Sequence, residues 1–266
     1  MINLAVIRGT ATGIIQQAGA EVMRFFEQPH QTQTKASVFD IVTEADKHSE
    51  RLIVDALRAA FPEHHIVGEE GGGSGAPAET AEYFWYIDPV DGTANFASGI
   101  PFFSISMALT DRQLNPLVAV VLNPVLHEVF SAAAGEGATR NGQTIHVSGT
   151  AALQDAILCT GFPFDTETQT RINVEPFIRF MPQVRGVRRI GSAALELSYV
   201  ACGRLDGFWE TRLNPWDCMA GVLLVREAGG RVTDYSGGEA GIDGKEIIAS
   251  NGLLHDAMHR VITQSR

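Results

Sequence analysis

The sequence predicts a layered α/β fold. Two amphipathic helical stretches open the chain, a run of adjacent strands follows, and from about residue 150 strands and helices alternate. The 266 residues suit a single domain, 1–266. Within it two soft sub-domains are expected, 1–147 with helices and an antiparallel sheet and 148–266 with α/β alternation, joined without a linker-like stretch.

Residues 3–27 have Leu4, Ile7, Ile14, Ile15, Ala18, Val22 and Phe25 near helical spacing, and Pro29 closes the helix. A polar stretch follows. Thr43-Glu44-Ala45-Asp46 has the form of a capping box, with a hydroxyl at the cap and a carboxylate three residues on, so a second helix is expected over 43–60, before Pro62. Residues 65–70 read as a short strand ending in Glu69 and Glu70. The glycine-rich 71–77 reads as a mobile surface loop, either a lid or a plain linker. Strands are expected over 101–110, 117–122 and 127–132, and Asn141-Gly142 predicts a hairpin with a short strand to Val147. Beyond residue 150 the expected strands are 156–160, 186–188, 207–210, 231–233 and 246–249. The expected helices are 167–181, 192–202, 214–228 and 253–263.

Composition narrows the function. With 45% hydrophobic and 19% charged residues the chain suits a soluble protein with a sizeable core. A formal charge of −11 argues against direct nucleic-acid binding through the protein's own charge, although bound cations can reverse the local sign for an anionic substrate. Cys159, Cys202 and Cys218 form no CxxC or zinc spacing and fit a reducing cytoplasm. No apolar run is long enough to span a bilayer, and no signal peptide is apparent.

The stretch Trp85-Tyr86-Ile87-Asp88-Pro89-Val90-Asp91-Gly92-Thr93-Ala94-Asn95-Phe96 organises the rest. Its apolar start suits a buried strand. Pro89 fixes its own φ and keeps Asp88 extended, so Asp88 and Asp91 can turn to one side at the strand's end. Gly92 lets the backbone approach a ligand, and Thr93 could open a helix with free N–H groups. Three acidic groups end strands or open helices: Glu69 with Glu70, Asp88 with Asp91, and Asp217 in Pro215-Trp216-Asp217. Each could be an ordinary turn or cap residue. Together they supply oxygen ligands for two or three magnesium ions, and the lack of accompanying His or Cys argues against zinc.

These residues resemble the inositol monophosphatase family, within the magnesium-dependent, lithium-sensitive sugar phosphatases. The resemblance rests on Gly68-Glu69-Glu70, on Trp85 to Thr93, on Gly191-Ser192-Ala193-Ala194, on Trp209-Glu210, and on Trp216-Asp217 before Glu227-Ala228-Gly229-Gly230. The detail from Arg188 to Ala194 and from Gly203 to Gly230 is most similar to the bacterial SuhB-type branch. The resemblance implies an αβαβα sandwich, a homodimer, and a phosphomonoesterase acting on inositol 1-phosphate or a related sugar-alcohol phosphate. It implies that Glu69, Asp88 and the Val90 carbonyl hold a first metal, and that Asp88, Asp91 and Asp217 hold a second. Glu69 would also touch a third. Thr93, bonded to Asp46, would orient the attacking water. Amides near Gly92, Thr93 and Ala94 would receive the phosphate, while Ala193 and Glu210 would contact the alcohol. Lys35 matches a family position near the phosphate, or is simply solvated.

Two departures from the family pattern stand out. Ala94 replaces a second threonine, and Ser98 stands where many relatives have histidine. Both bear on substrate preference more than on the reaction. Histidinol-phosphate phosphatase and fructose-1,6-bisphosphatase are alternatives with the same metal core. A further alternative, of a different class, is a non-catalytic partner of the transcription machinery, for which Arg185, Arg188 and Arg189 offer a basic surface.

Overall fold

Asn3 starts the first helix: its side-chain oxygen accepts the N–H of Val6 at 3.1 Å. From there Ile7, Ala11, Ile14, Ile15, Ala18 and Val22 recur at helical spacing and are buried. The computed structural model describes residues 2–28, 33–34, 41–165, 170–239 and 243–264. In chain order, α1 (Leu4–Phe25) is followed by the short pair β1 (Gln33–Thr34) and β2 (Ile41–Val42), and then by α2 (Glu44–Ala60). Strands β3 (His65–Gly68), β4 (Gly72–Gly75) and β5 (Tyr83–Asp91) lead to a short helix, α3 (Thr93–Ala97). Next come β6 (Ser104–Asp111), β7 (Pro116–Asn123), β8 (Glu128–Ala133), β9 (Ala138–Arg140) and β10 (Gln143–Thr144). The later part contains β11 (Ile157–Thr160), β12 (Phe164–Asp165), β13 (Thr170–Arg171), α4 (Val174–Phe180) and β14 (Gly186–Arg188). It ends with α5 (Ala193–Ala201), β15 (Gly207–Thr211), α6 (Pro215–Glu227), β16 (Arg231–Thr233), β17 (Glu246–Ser250) and α7 (His255–Thr263).

An eight-stranded sheet has the order β10-β9-β8-β7-β6-β5-β3-β4, and a five-stranded sheet the order β14-β11-β15-β17-β16. The large sheet is antiparallel except where β3 runs parallel to β5. In the smaller sheet β11 runs parallel to both β14 and β15. Three hydrophobic clusters stack these elements. One lies between α1, α2 and the large sheet, with Ile15, Ile53, Trp85 and Met107. A second joins the opposite face of that sheet to α5 and α6 and on to the smaller sheet, through Val121, Phe130, Leu197, Leu224 and Ile247. The third packs Phe180 of α4 and Met258 of α7 against Leu158, Trp209 and Ile248 of the smaller sheet. The order of layers is therefore αβαβα. The middle helices are apolar nearly all round, as they must be between two sheets: in α6 every residue from Cys218 to Val225 is buried.

Three expectations need correction. The 71–77 stretch is not a loop throughout, because β4 pairs antiparallel with β3, Gly68 opposite Gly72, and forms an edge of the large sheet. Glycine's poor strand propensity misled the composition argument, and the pairing surface offered by β3 overrode it. The helix expected over 167–181 is confined to α4, with β13 occupying 170–171 and residues 166–169 outside the described residues. The strand after Asn141-Gly142 covers only β10 and does not reach Val147. Pro29 and Lys35 lie outside the described residues.

Candidate active site

The end of β5 carries the first two acids. Alternate side chains of a strand face opposite ways, so acids three apart would normally point apart. A bulge corrects this. Asp88 pairs with Ser106 and Asp91 with Ser104, so three steps along β5 match two along β6. The Asp91 carboxylate then meets the start of α5, and Asp88 feels the charge of Asp217 at the start of α6. Within the bulge the Val90 N–H donates to Asp88 Oδ1 at 3.0 Å.

Gly92 is left-handed, with φ 96°, and a Cβ there would stand 2.9 Å from the Gly191 carbonyl oxygen. Glycine is needed for both reasons. The following α3 is anchored by Phe96, whose ring meets Phe103 edge-on at 5.1 Å and Phe26 at 5.7 Å. Its first residue, Thr93, places Oγ1 3.1 Å from Asp46 Oδ1 and 3.0 Å from the Val90 carbonyl oxygen. Asp46 is wholly buried and divides its oxygens. Oδ1 takes Thr93, while Oδ2 accepts the backbone N–H of Thr43 at 2.9 Å and the Thr43 hydroxyl. The cap role and the Thr93 contact are thus both real. Burial raises the Asp46 pKa against these hydrogen bonds.

Asp91 is held by four donors. Oδ2 accepts from Ser192 Oγ at 2.6 Å, the Ala194 N–H at 2.8 Å and Ser104 Oγ at 3.2 Å, and Oδ1 accepts the Ala193 N–H at 3.2 Å. Burial still pushes its pKa up to about 6. Asp217 sits in the first turn of α6, where its Oδ2 accepts the Asn214 N–H at 2.6 Å. Burial pushes Asp217 up to about 8. Asp88 is raised well above the carboxylate range by burial and then by the charges of Glu69, Asp91, Asp217 and Asp46. The structure therefore gathers Glu69, Asp88, Asp91, Asp217 and Asp46 into one electrostatic neighbourhood. Glu69 is fixed to it by its own N–H, which donates to the Ile87 carbonyl of β5 at 3.2 Å.

Asp91 and Asp217 open into a cleft of ≈ 350 Å³, lined also by Ala193, Glu196, Glu210 and Arg189. Glu210 lies against Gly161, where an added methyl would overlap its carboxylate. Burial, together with the charge of Glu196, raises Glu210 well above its usual range. Glu196 itself is pushed to about 8 by burial, although Oε1 accepts the Ile190 N–H at 2.8 Å. Ala94 and Ser98 are exposed on and after α3.

Sequence reasoning missed Ser104 and Glu196, and it missed the role of Ser192, whose hydroxyl reaches Asp91 across 101 residues. Ser104 is brought to Asp91 by the pairing of β5 with β6, which spacing does not give. Of the arginines, Arg185 pairs with Asp155 at 2.9 Å and Arg189 lines the cleft.

The donor set suits magnesium. Glu69, Asp88, Asp91 and Asp217 all offer carboxylate oxygen, and the thiol of the neighbouring Cys218 is turned to the Asn214 carbonyl at 3.5 Å. Among the described residues no three such side chains already close on one point as a finished cage. Magnesium does not need one, since it keeps several waters and takes one or two carboxylates together with substrate phosphate.

Comparison with known proteins agrees with this geometry. The model of the inositol monophosphatase family matches residues 3–266. An inositol-1-monophosphatase of Synechocystis sp. is 40% identical over 252 residues, 95% of this chain and 87% of that protein. The Nus factor SuhB of Pseudomonas aeruginosa is 47% identical over 215 residues, 80% of this chain and 79% of that protein. The crystal structure of extragenic suppressor protein suhB from Bartonella henselae superposes with a TM-score of 0.91 at 35% identity, covering 98% of this chain and 100% of that one. The chain belongs to the inositol monophosphatase family and is a phosphoric monoester hydrolase.

Proposed function

We propose that the enzyme is magnesium-dependent and hydrolyses inositol 1-phosphate or a related sugar-alcohol monophosphate. The observation that carries this reading is the meeting of Asp91 and Asp217 with Glu210 in one cleft, beside the Thr93–Asp46 pair. Glu69, Asp88, the Val90 carbonyl, Asp91 and Asp217 would hold two or three magnesium ions. When bound, the metal supplies Lewis acidity that lowers the pKa of water and offsets charge on the leaving oxygen.

The chain's own residues do the positioning. Thr93 has one hydroxyl hydrogen and two acceptors in reach, Asp46 and the Val90 carbonyl. The Val90 carbonyl would be among the metal's ligands, which would leave the Thr93 hydrogen to Asp46. The Thr93 lone pairs then accept a hydrogen bond from water and point it at phosphorus. The N–H groups at the start of α3, by Gly92, Thr93 and Ala94, have no acceptor within the helix and face the phosphate. Ala193 and Glu210 meet the alcohol, with Glu210 accepting from its hydroxyls.

A magnesium-supported phosphate-release assay tests this. Its panel is inositol 1-phosphate, histidinol phosphate, fructose 1,6-bisphosphate and adenosine 3′,5′-bisphosphate. Preference for the first is expected, and preference for another would keep the chemistry and change the substrate. Lithium should inhibit, and sedimentation should give a homodimer.

A second role as a partner of the transcription machinery is favoured by one observation, the Nus factor name carried by the Pseudomonas relative. Retention of RNA polymerase components by an inactive Asp91→Asn protein would support it.

A further inference from the structure

The first two turns of α2 touch two segments of the site, the end of β5 with the start of α3 and the turn that carries Glu69. Asp46 holds Thr93, as above. Ser49 Oγ donates to the Pro89 carbonyl oxygen, between Asp88 and Asp91, at 3.2 Å. Glu50, one turn beyond Asp46 on the same helix face, accepts two consecutive N–H groups: Glu70 N–H to Oε2 at 2.8 Å and Gly71 N–H to Oε1 at 2.5 Å. Glu50 is only 6% exposed.

The grip closes around Glu69. Gly68 precedes Glu69, and a Cβ there would overlap the Glu50 carboxylate. Gly71 follows two residues later, and a Cβ there would lie 2.7 Å from Oε1. The backbone thus wraps the carboxylate on both sides of Glu69. Two charge-assisted hydrogen bonds fix the peptide planes just after Glu69. The Glu69 N–H, donating to Ile87 at 3.2 Å, fixes the one before it. Nothing is left to turn Glu69 except its own side chain.

We propose that Glu50 is a positioning residue: it holds the 68–71 turn so that Glu69 is aimed at Asp88, Asp91 and Asp217. This rests on the magnesium reading above. A buried glutamate used only for packing could give way to glutamine, which has the same shape. Glutamine, however, offers one acceptor where two N–H groups need one each, and turns its NH₂ against the other.

The test measures Mn²⁺ binding to the substrate-free protein by electron paramagnetic resonance, alongside magnesium-dependent turnover and melting temperature. Glu50→Gln should weaken Mn²⁺ binding about 10- to 100-fold. It should raise the magnesium needed for half-maximal rate to match, with KM for inositol 1-phosphate little changed at saturating magnesium. Glu50→Asp, which keeps the charge but shortens the reach, should fall between, and it carries the test if Glu50→Gln does not fold. Leu57→Ala, on the same helix and away from the turn, should lower the melting temperature and leave Mn²⁺ affinity unchanged. Wild-type binding with equal binding by the Glu50 variants would overturn the inference alone. Failure of the wild-type protein to bind Mn²⁺ or Mg²⁺ would overturn the magnesium reading beneath it.

Discussion

Ser192 donates a 2.6 Å hydrogen bond to Asp91 across 101 residues of chain. That bond joins the end of β5, an inner strand of the large sheet, to the start of α5. With the Ala193 and Ala194 amides it makes the start of α5 a socket for one carboxylate. Ser192→Ala removes one charge-assisted donor, a cost of about 2 kcal/mol. It should lower kcat/KM about tenfold and the melting temperature by about 5 °C. Asp91→Asn should cost about a thousandfold or more in turnover, equivalent to about 4 kcal/mol. It should also destabilise the fold, because an amide then faces donors that need acceptors. Steady-state kinetics and thermal melts on both variants check this.

Thr93 and Asp46 act as one unit. Thr93→Val keeps the shape and deletes the hydroxyl, and it should lower kcat about a hundredfold through misplaced water, with metal affinity unchanged. Thr93→Ser should restore most of the rate. Asp46→Asn should lose a similar factor in rate and about 1 kcal/mol of stability besides, since its other oxygen caps α2. Kinetics together with denaturant melts separate the two contributions.

The side of the cleft proposed to meet the alcohol is packed on Gly161. A methyl there displaces the Glu210 carboxylate. Gly161→Ala should therefore raise KM for the polyol phosphate about tenfold while leaving Mn²⁺ affinity as it is. A matching change in Mn²⁺ affinity would count against this division of labour.

Acid stability should report His255. It is buried between Thr233 Oγ1 and Ser250 Oγ, each 3.0 Å from a ring nitrogen. Burial, assisted by Arg231, lowers its pKa from 6.5 to about 4. Between these values the unfolded chain binds the extra proton and the folded one does not. Stability from this group is complete above pH 6.5 and is lost as the pH falls toward 4, at up to about 1.4 kcal/mol per pH unit. His255→Gln should show a flatter fall in melting temperature over that window.

Much of this was legible in the chain. The capping box at Thr43–Asp46 and the long amphipathic α1 follow from spacing alone, and a helix was also expected where α6 lies. What spacing could not give was register. The bulge that turns Asp88 and Asp91 to one side exists only in the pairing with β6. Three of the four donors to Asp91 come from the start of α5, 101 residues away or more. Nothing in the spacing singles out Glu50, because its two oxygens accept from a turn 20 and 21 residues on. Gly72 to Gly75 read as loop because a strand's identity can lie in its neighbour.

The central claim is that these acids hold magnesium for phosphate-ester hydrolysis. Phosphate release from inositol 1-phosphate across a magnesium titration, for the wild-type protein and Asp217→Asn, tests it most directly. The account predicts saturable, magnesium-dependent release by the wild-type protein and loss of about a thousandfold in the variant. Equal rates with and without magnesium, or an Asp217→Asn protein as active as the wild type, would contradict it.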